Sequence, residues 1–136
     1  MLQAACEALE SEGIALVAAA PIIRTAAVGP AGRGFANSAV LAESTHDPAA
    51  MLALLKRIER RFGRRPGRRW GPRVIDLDII FWSGGLWTSD GLAIPHPGFR
   101  ERRFVLDPLL ALVPDWRDPV TGLSVRHLHA RLTRPR

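Results

Sequence analysis

Residues 74–81, Val-Ile-Asp-Leu-Asp-Ile-Ile-Phe, constrain this chain more than any other stretch. The run alternates as a strand does, with successive side chains on opposite faces. Asp76 and Asp78 therefore project from one face, and Ile75, Leu77 and Ile79 from the other. Two carboxylates on an otherwise apolar strand repel each other and lose hydration, so the pattern calls for a cation between them. A hard divalent ion such as Mg²⁺ suits it, because it takes one or two carboxylates and completes its shell with water and phosphate oxygens. Arg65, Arg68, Arg69 and Arg73 stand just upstream, which suits a polyphosphate ligand. The same arginines also read as a solvated face or a nucleic-acid patch.

Composition narrows the class. At 136 residues the chain is one domain, residues 1–136, large enough for a core. Its 47% hydrophobic and 24% charged residues are ordinary for a soluble globular protein. Residues 14–20 are the best apolar run, too short to cross a bilayer and without the basic flank of a signal peptide. One cysteine, Cys6, excludes an internal disulfide and fits a reducing, cytoplasmic compartment. Its place on an apolar helical face points to packing. The formal charge of +6 favours an anionic partner, a nucleotide or nucleic acid. Lys56 is the sole lysine, an arginine bias that base composition alone can produce, so the high pI carries little weight.

Along the chain, Leu2, Ala5, Cys6 and Leu9 recur at helical spacing and Gly13 marks the stop. Residues 14–20 read as a buried strand, continued with a kink through residues 21–25. Gly29, Pro30 and Gly32 make residues 26–34 a loop. Residues 35–43 form a second strand, with Phe35, Asn37, Ala39 and Leu41 on one face. Asp47 and Pro48 open a helix as N-cap and first-turn proline. Its apolar stripe is Met51, Leu54, Leu55, Ile58 and Phe62, ended by Gly63. Residues 64–72 are loop and the aspartate strand follows. Ser83, Gly84 and Gly85 turn into a short strand at residues 86–88. Residues 93–97 are extended, residues 104–112 are helical, and Ser124 caps a last helix through Leu132. The order is that of an α+β protein, and one further strand in front would make it βαββαβ, the ferredoxin-like pattern.

The order Arg69-Trp70-Gly71-Pro72-Arg73, two residues, then Asp76-Leu77-Asp78-Ile79-Ile80 resembles the signature of the 6-hydroxymethyl-7,8-dihydropterin pyrophosphokinase family of the folate pathway. The segments Ile23-Arg24-Thr25, Val28-Gly29 and Phe35-Ala36-Asn37-Ser38-Ala39 are similar to its pterin-binding segments. Ile94-Pro95-His96-Pro97 and Arg102-Arg103-Phe104-Val105-Leu106-Asp107-Pro108-Leu109 resemble a second block, so the likeness runs from Arg24 to Trp116. It implies a ferredoxin-like antiparallel sheet with helices on one face and small C-terminal additions. The family opens with a strand ending in Gly-Ser-Asn that is absent here. The expectation is a start assigned too far downstream or a truncated domain, leaving backbone groups of the sheet without partners.

The resemblance also implies roles. Thr25, Val28, Phe35, Asn37 and Phe104 would bind the pterin, with Phe35 and Phe104 stacking on the ring. Asn37 offers a donor and an acceptor to its amide-like edge. Glu59, Arg64, Trp70, Arg73, Ile79, His96 and Arg102 would bind ATP, Trp70 from a loop that closes over the site. Glu59 reads equally as half of a helix salt bridge with Arg60 or Arg61. The loop from Arg64 to Trp70 is one residue shorter than the usual pattern, which leaves open which of Arg64, Arg65 and Arg68 contacts phosphate. Arg64, Arg73, Asp76 and Asp78 would carry catalysis, Asp76 and Asp78 holding two Mg²⁺ ions. Asp107 reads as a helix cap, and His46, His127 and His129 as surface residues. The implied reaction moves a pyrophosphoryl group from ATP to the 6-hydroxymethyl oxygen of the pterin, in a monomer without nucleic-acid or membrane partners. Two other readings use the same residues. One is a ferredoxin-like RNA-binding module, disfavoured by carboxylates on the sheet. The other is an inactive remnant of the family, disfavoured by retention of Asn37, Asp76, Asp78, His96 and Arg102.

Overall fold

A computed structural model describes residues 2–25, 35–63 and 75–135. They hold four helices, α1 (Leu2–Ser11), α2 (Pro48–Arg61), α3 (Arg103–Leu112) and α4 (Val125–Thr133). Six short strands accompany them: β1 (Ala15–Ala19), β2 (Ile23–Thr25), β3 (Phe35–Asn37), β4 (Val40–Glu43), β5 (Trp87–Ser89) and β6 (Leu92–Ile94). The strands pair two by two, β1 with β4, β2 with β3 and β5 with β6. This is a small α+β protein. No described helix is long and apolar enough to cross a membrane.

By its contacts the chain divides into two compact units. The first comprises Met1–Leu16 and Ala42–His96. Here α1 packs on α2, and Ala5, Ala8, Leu9, Ile14, Leu54, Leu55, Ile58, Ile75 and Ile94 are its buried apolar residues. Asp47 caps α2, its carboxylate accepting from the Ala50 amide at 2.8 Å, and Pro48 opens the first turn where no amide is needed. α1 stops at Gly13, whose φ of +85° is cheap only for glycine. Glu12 ties the two helices at their ends, 3.6 Å from Arg57 and 3.5 Å from Arg61. Cys6 is half-buried in α1, and burial, then Glu10 and Glu7, raise its thiol above the ordinary value. The turn before β5 needs glycine at 84, because a Cβ there would overlap the Trp82 indole.

The second unit comprises Val17–Leu41 and Pro97–Arg136. In it α3 packs on α4, on β2 and β3, and on a 3-10 turn at Phe99–Glu101. Phe99, Leu106 and Val125 are fully buried, as is Asp118. Ser124 caps α4, accepting from the His127 amide at 3.2 Å.

The two long strands read from the sequence are each broken. Residues 14–20 and 21–25 belong to different pairings, and so do the two halves of residues 35–43. Ala20 donates to the Ala39 carbonyl at 2.9 Å, while Ile23 lies opposite Asn37. Three steps on one arm thus match two on the other, and the extra residue makes a bulge at Pro21, which has no amide to give a ladder. Ser38 closes the corner by donating its hydroxyl to the Ala20 carbonyl at 2.9 Å. β1 is not buried as its apolar run implied: Ile14 and Ala20 are covered, but Val17 is 53% exposed. Among the described strands β1 pairs with β4, and most of its side chains face solvent.

Residues 75–82 form no regular strand, contrary to the alternation that announced one. The alternation itself survives as exposure, with Ile75 buried, Leu77 and Ile79 half-buried, and Asp76 and Asp78 exposed. A strand needs a backbone neighbour along its length, and among the described contacts this segment has a side-chain partner at the Leu77 amide and a backbone partner at the Ile80 carbonyl.

Candidate active site

The aspartate segment is held from α2. Glu59 lies on the covered side of that helix beside Ile58, and its side chain is 2% exposed. Its Oε2 accepts from the Leu77 amide at 2.6 Å, and its Oε1 accepts from Lys56 Nζ at 3.3 Å. A buried carboxylate is costly unless it is paired and hydrogen-bonded, and Glu59 has both kinds of partner. Among the described contacts, the helix salt bridge read from the sequence is made with Lys56, three residues back. Arg61 turns to Glu12. Further along, the Ile80 carbonyl accepts from the His96 amide at 3.1 Å, joining the aspartate segment to the residue after β6. Asp76, Asp78, Ile79, Glu59 and His96 all lie within the first unit.

Asp76 and Asp78 fit a hard divalent cation by their donor chemistry, two exposed carboxylates on one side of an extended segment. No cluster of three or more His, Cys, Asp or Glu suited to a metal occurs among the described residues. The remaining donors of a cation here would be water and ligand oxygens.

Thr25, Phe35, Asn37, Arg102 and Phe104 lie within the second unit. Thr25 and Phe35 are opposite each other in the β2–β3 ladder, two residues beyond the Ile23–Asn37 pair. Asn37 and Ile23 are half-buried while Arg24 and Ala36 are exposed, so Asn37 sits on the covered face of this ribbon. Phe104 is 43% exposed at the start of α3, which rules out simple core packing for its ring. The Arg102 guanidinium stands 6.0 Å from the ring centroid, at the outer range of cation–π attraction. Val28, Arg64, Arg65, Arg68, Trp70 and Arg73 lie outside the described residues.

Three polar groups depart from their sequence reading. Asp107 is not a cap, because α3 begins at Arg103 and places it in the second turn. Its carboxylate meets His129 Nε2 at 2.6 Å and Arg103 Nε at 3.4 Å. His129 is correspondingly 18% exposed and no surface residue. His46 and His127 are exposed, as read. Asp118 was not singled out in the sequence. It is fully buried and accepts two bonds from Arg100, one from the Val120 amide and one from the Thr121 hydroxyl. Burial pushes its carboxyl up, but these four bonds outweigh burial and hold it down at about 2. The Arg100 guanidinium, bonded to Asp118, is raised in turn. Asp118 precedes Pro119, and an Asp-Pro turn was the one hint available.

The described molecule is thus a small α+β protein with two exposed carboxylates, Asp76 and Asp78, on either side of Leu77. A model of the 7,8-dihydro-6-hydroxymethylpterin-pyrophosphokinase (HPPK) family matches residues 1–114, and the chain belongs to that family. It is 39% identical over 105 residues to the 2-amino-4-hydroxy-6-hydroxymethyldihydropteridine pyrophosphokinase of Synechocystis sp., a match covering 77% of this chain and 54% of the relative. The protein of the same name from Methylorubrum extorquens is 38% identical over 134 residues, covering 97% of this chain and 84% of that protein. A mitochondrial folate synthesis bifunctional protein of Pisum sativum is 49% identical over 79 residues, 58% of this chain and 15% of the pea protein. The chain therefore spans about half the length of the Synechocystis relative.

Proposed function

We propose that this chain carries out its family's reaction (EC 2.7.6.3), moving pyrophosphate from MgATP to 6-hydroxymethyl-7,8-dihydropterin in folate biosynthesis. The observation that carries this reading is the exposed pair Asp76 and Asp78, lying inside the family match at residues 1–114. The hydroxymethyl oxygen of the pterin attacks the β-phosphorus of ATP. The bond from that phosphorus to the α-phosphate oxygen breaks, AMP leaves and the hydroxyl proton goes to solvent. No covalent nucleophile on the protein is required; alignment and charge stabilisation suffice.

Asp76 and Asp78 would hold the metal, two ions in this reading. Bound there, Mg²⁺ would neutralise triphosphate oxygens. His96, Arg102, Arg64 and Arg73 donate to the phosphates, Trp70 closes over the nucleotide, and Ile79 packs against it. Asn37 takes the hydrogen-bonding edge of the pterin, with Phe35 and Phe104 on its faces and Thr25 and Val28 beside it. Exposure of the Phe104 ring and the half-buried position of Asn37 support their part. The fold would be ferredoxin-like, the 136 residues one domain, and the protein a cytoplasmic monomer.

The test is product formation. The purified chain, incubated with MgATP and 6-hydroxymethyl-7,8-dihydropterin, is expected to yield AMP and the pterin diphosphate by mass spectrometry. A folded chain that forms neither would overturn the proposal.

A further inference from the structure

The aspartate segment raises a problem of backbone chemistry. Residues 75–82 belong to no strand pairing among the described residues, yet Ile75 is buried and Leu77 half-buried. An amide in such a place needs an acceptor. The Leu77 amide finds one 18 residues back, in the Oε2 of Glu59 at 2.6 Å. Leu77 is the residue between Asp76 and Asp78, so the bond fixes the Asp76–Leu77 peptide, on the stretch of backbone that carries both carboxylates. Glu59 is itself locked. Its side chain is 2% exposed, Lys56 Nζ stands 3.3 Å from its other oxygen, and the adjoining Ile58 is fully buried.

We propose that Glu59 is a positioning residue for the metal site. Its buried carboxylate takes the Leu77 amide hydrogen and thereby sets Asp76 and Asp78 side by side on the exposed edge. The inference rests on the pyrophosphokinase reading for the use of the metal, but the clasp is a property of the fold. It replaces the expectation that Glu59 touches ATP. A carboxylate serves better here than an amide or hydroxyl, because a charge-assisted bond is shorter and stronger than a neutral one. Groups that orient metal ligands from outside the coordination shell commonly cost about 10–100-fold in metal affinity or activity when removed.

The experiment compares Glu59→Ala and Glu59→Gln with the parent chain by three readouts. These are exchange of the Leu77 amide by NMR, affinity for Mn²⁺ alone by electron paramagnetic resonance, and steady-state kinetics. Glu59→Ala is expected to expose the Leu77 amide to rapid exchange, to weaken Mn²⁺ binding about 10–100-fold, and to lower kcat more than it raises the KM for ATP. Glu59→Gln keeps an acceptor oxygen, so it should restore most of the Leu77 protection and most of the Mn²⁺ affinity. Should Glu59→Ala fail to fold, the parent chain and Glu59→Gln decide, with fast Leu77 exchange in the folded parent refuting the clasp. Unchanged Leu77 exchange and Mn²⁺ affinity in Glu59→Ala, with a raised KM for ATP as the only defect, would overturn the proposal in favour of direct nucleotide contact. A parent chain that binds Mn²⁺ as described but forms no pterin diphosphate would refute the reaction and leave the clasp standing.

Discussion

Asp76 and Asp78 are exposed on an extended segment, so neither side chain contributes to a core. Replacing either with asparagine should leave the thermal midpoint within a few degrees, as surface changes do. Turnover should fall by about two orders of magnitude or more, the scale seen when a transition-state charge partner is lost. Product assays beside thermal melts check both halves. If Asp76→Asn kept full turnover, the metal site would lie elsewhere. Asp118 behaves in the opposite way, being buried and remote from the aspartate pair in sequence. Its carboxyl is held at about 2, below the ordinary 3.8. The bonds to Arg100 therefore stabilise the fold fully above roughly pH 4, and that contribution disappears as pH falls toward 2, worth about 2 kcal/mol in all. Asp118→Asn should lower stability at neutral pH and flatten the acid limb, which urea titrations at stepped pH would reveal.

Among the elements, α2 matters most to the proposed chemistry because it carries Glu59. Its start was legible: Asp47 and Pro48 announce a capped helix, and the cap bond is present at 2.8 Å. Asp47→Ala should cost about 1 kcal/mol. Ile58→Ala, at a fully buried position of the same helix, should cost about 2–5 kcal/mol. Urea midpoints measured on both variants test the ranking. Helices α1, α3 and α4 were legible for the same reason, since spacing, caps and glycine stops act within a few residues. Strands were less so. Their alternation predicted which side chains point outward, correctly for Asp76 and Asp78, but not which backbones pair. Pro21 and Ser38 divide what looked like two long strands into four short ones. The aspartate segment kept its alternation but forms no regular strand among the described residues, and its central amide bonds to Glu59.

For the whole molecule, the formal charge of +6 would favour approach of the proposed anionic substrate MgATP through a field that salt screens. Raising KCl toward roughly 1 M, where the screening length falls to about 3 Å, should raise the KM for MgATP with a smaller change in kcat. A KM indifferent to salt would show that the arginine excess plays no part in nucleotide capture. By itself the sequence determined the family, the α+β class, the helices and the pair of carboxylates sharing one side of the chain. These depend on residue type, local spacing and motif order, all of which are written in consecutive residues. Only the tertiary structure decided that Glu59 is buried against Leu77, that Asp107 meets His129 rather than capping a helix, and that Asp118 is clasped by Arg100. Each of these contacts joins residues 18 to 22 apart in the chain. A carboxylate's role in such a contact is set by which donor the fold brings to it, and no periodicity along the chain encodes that donor.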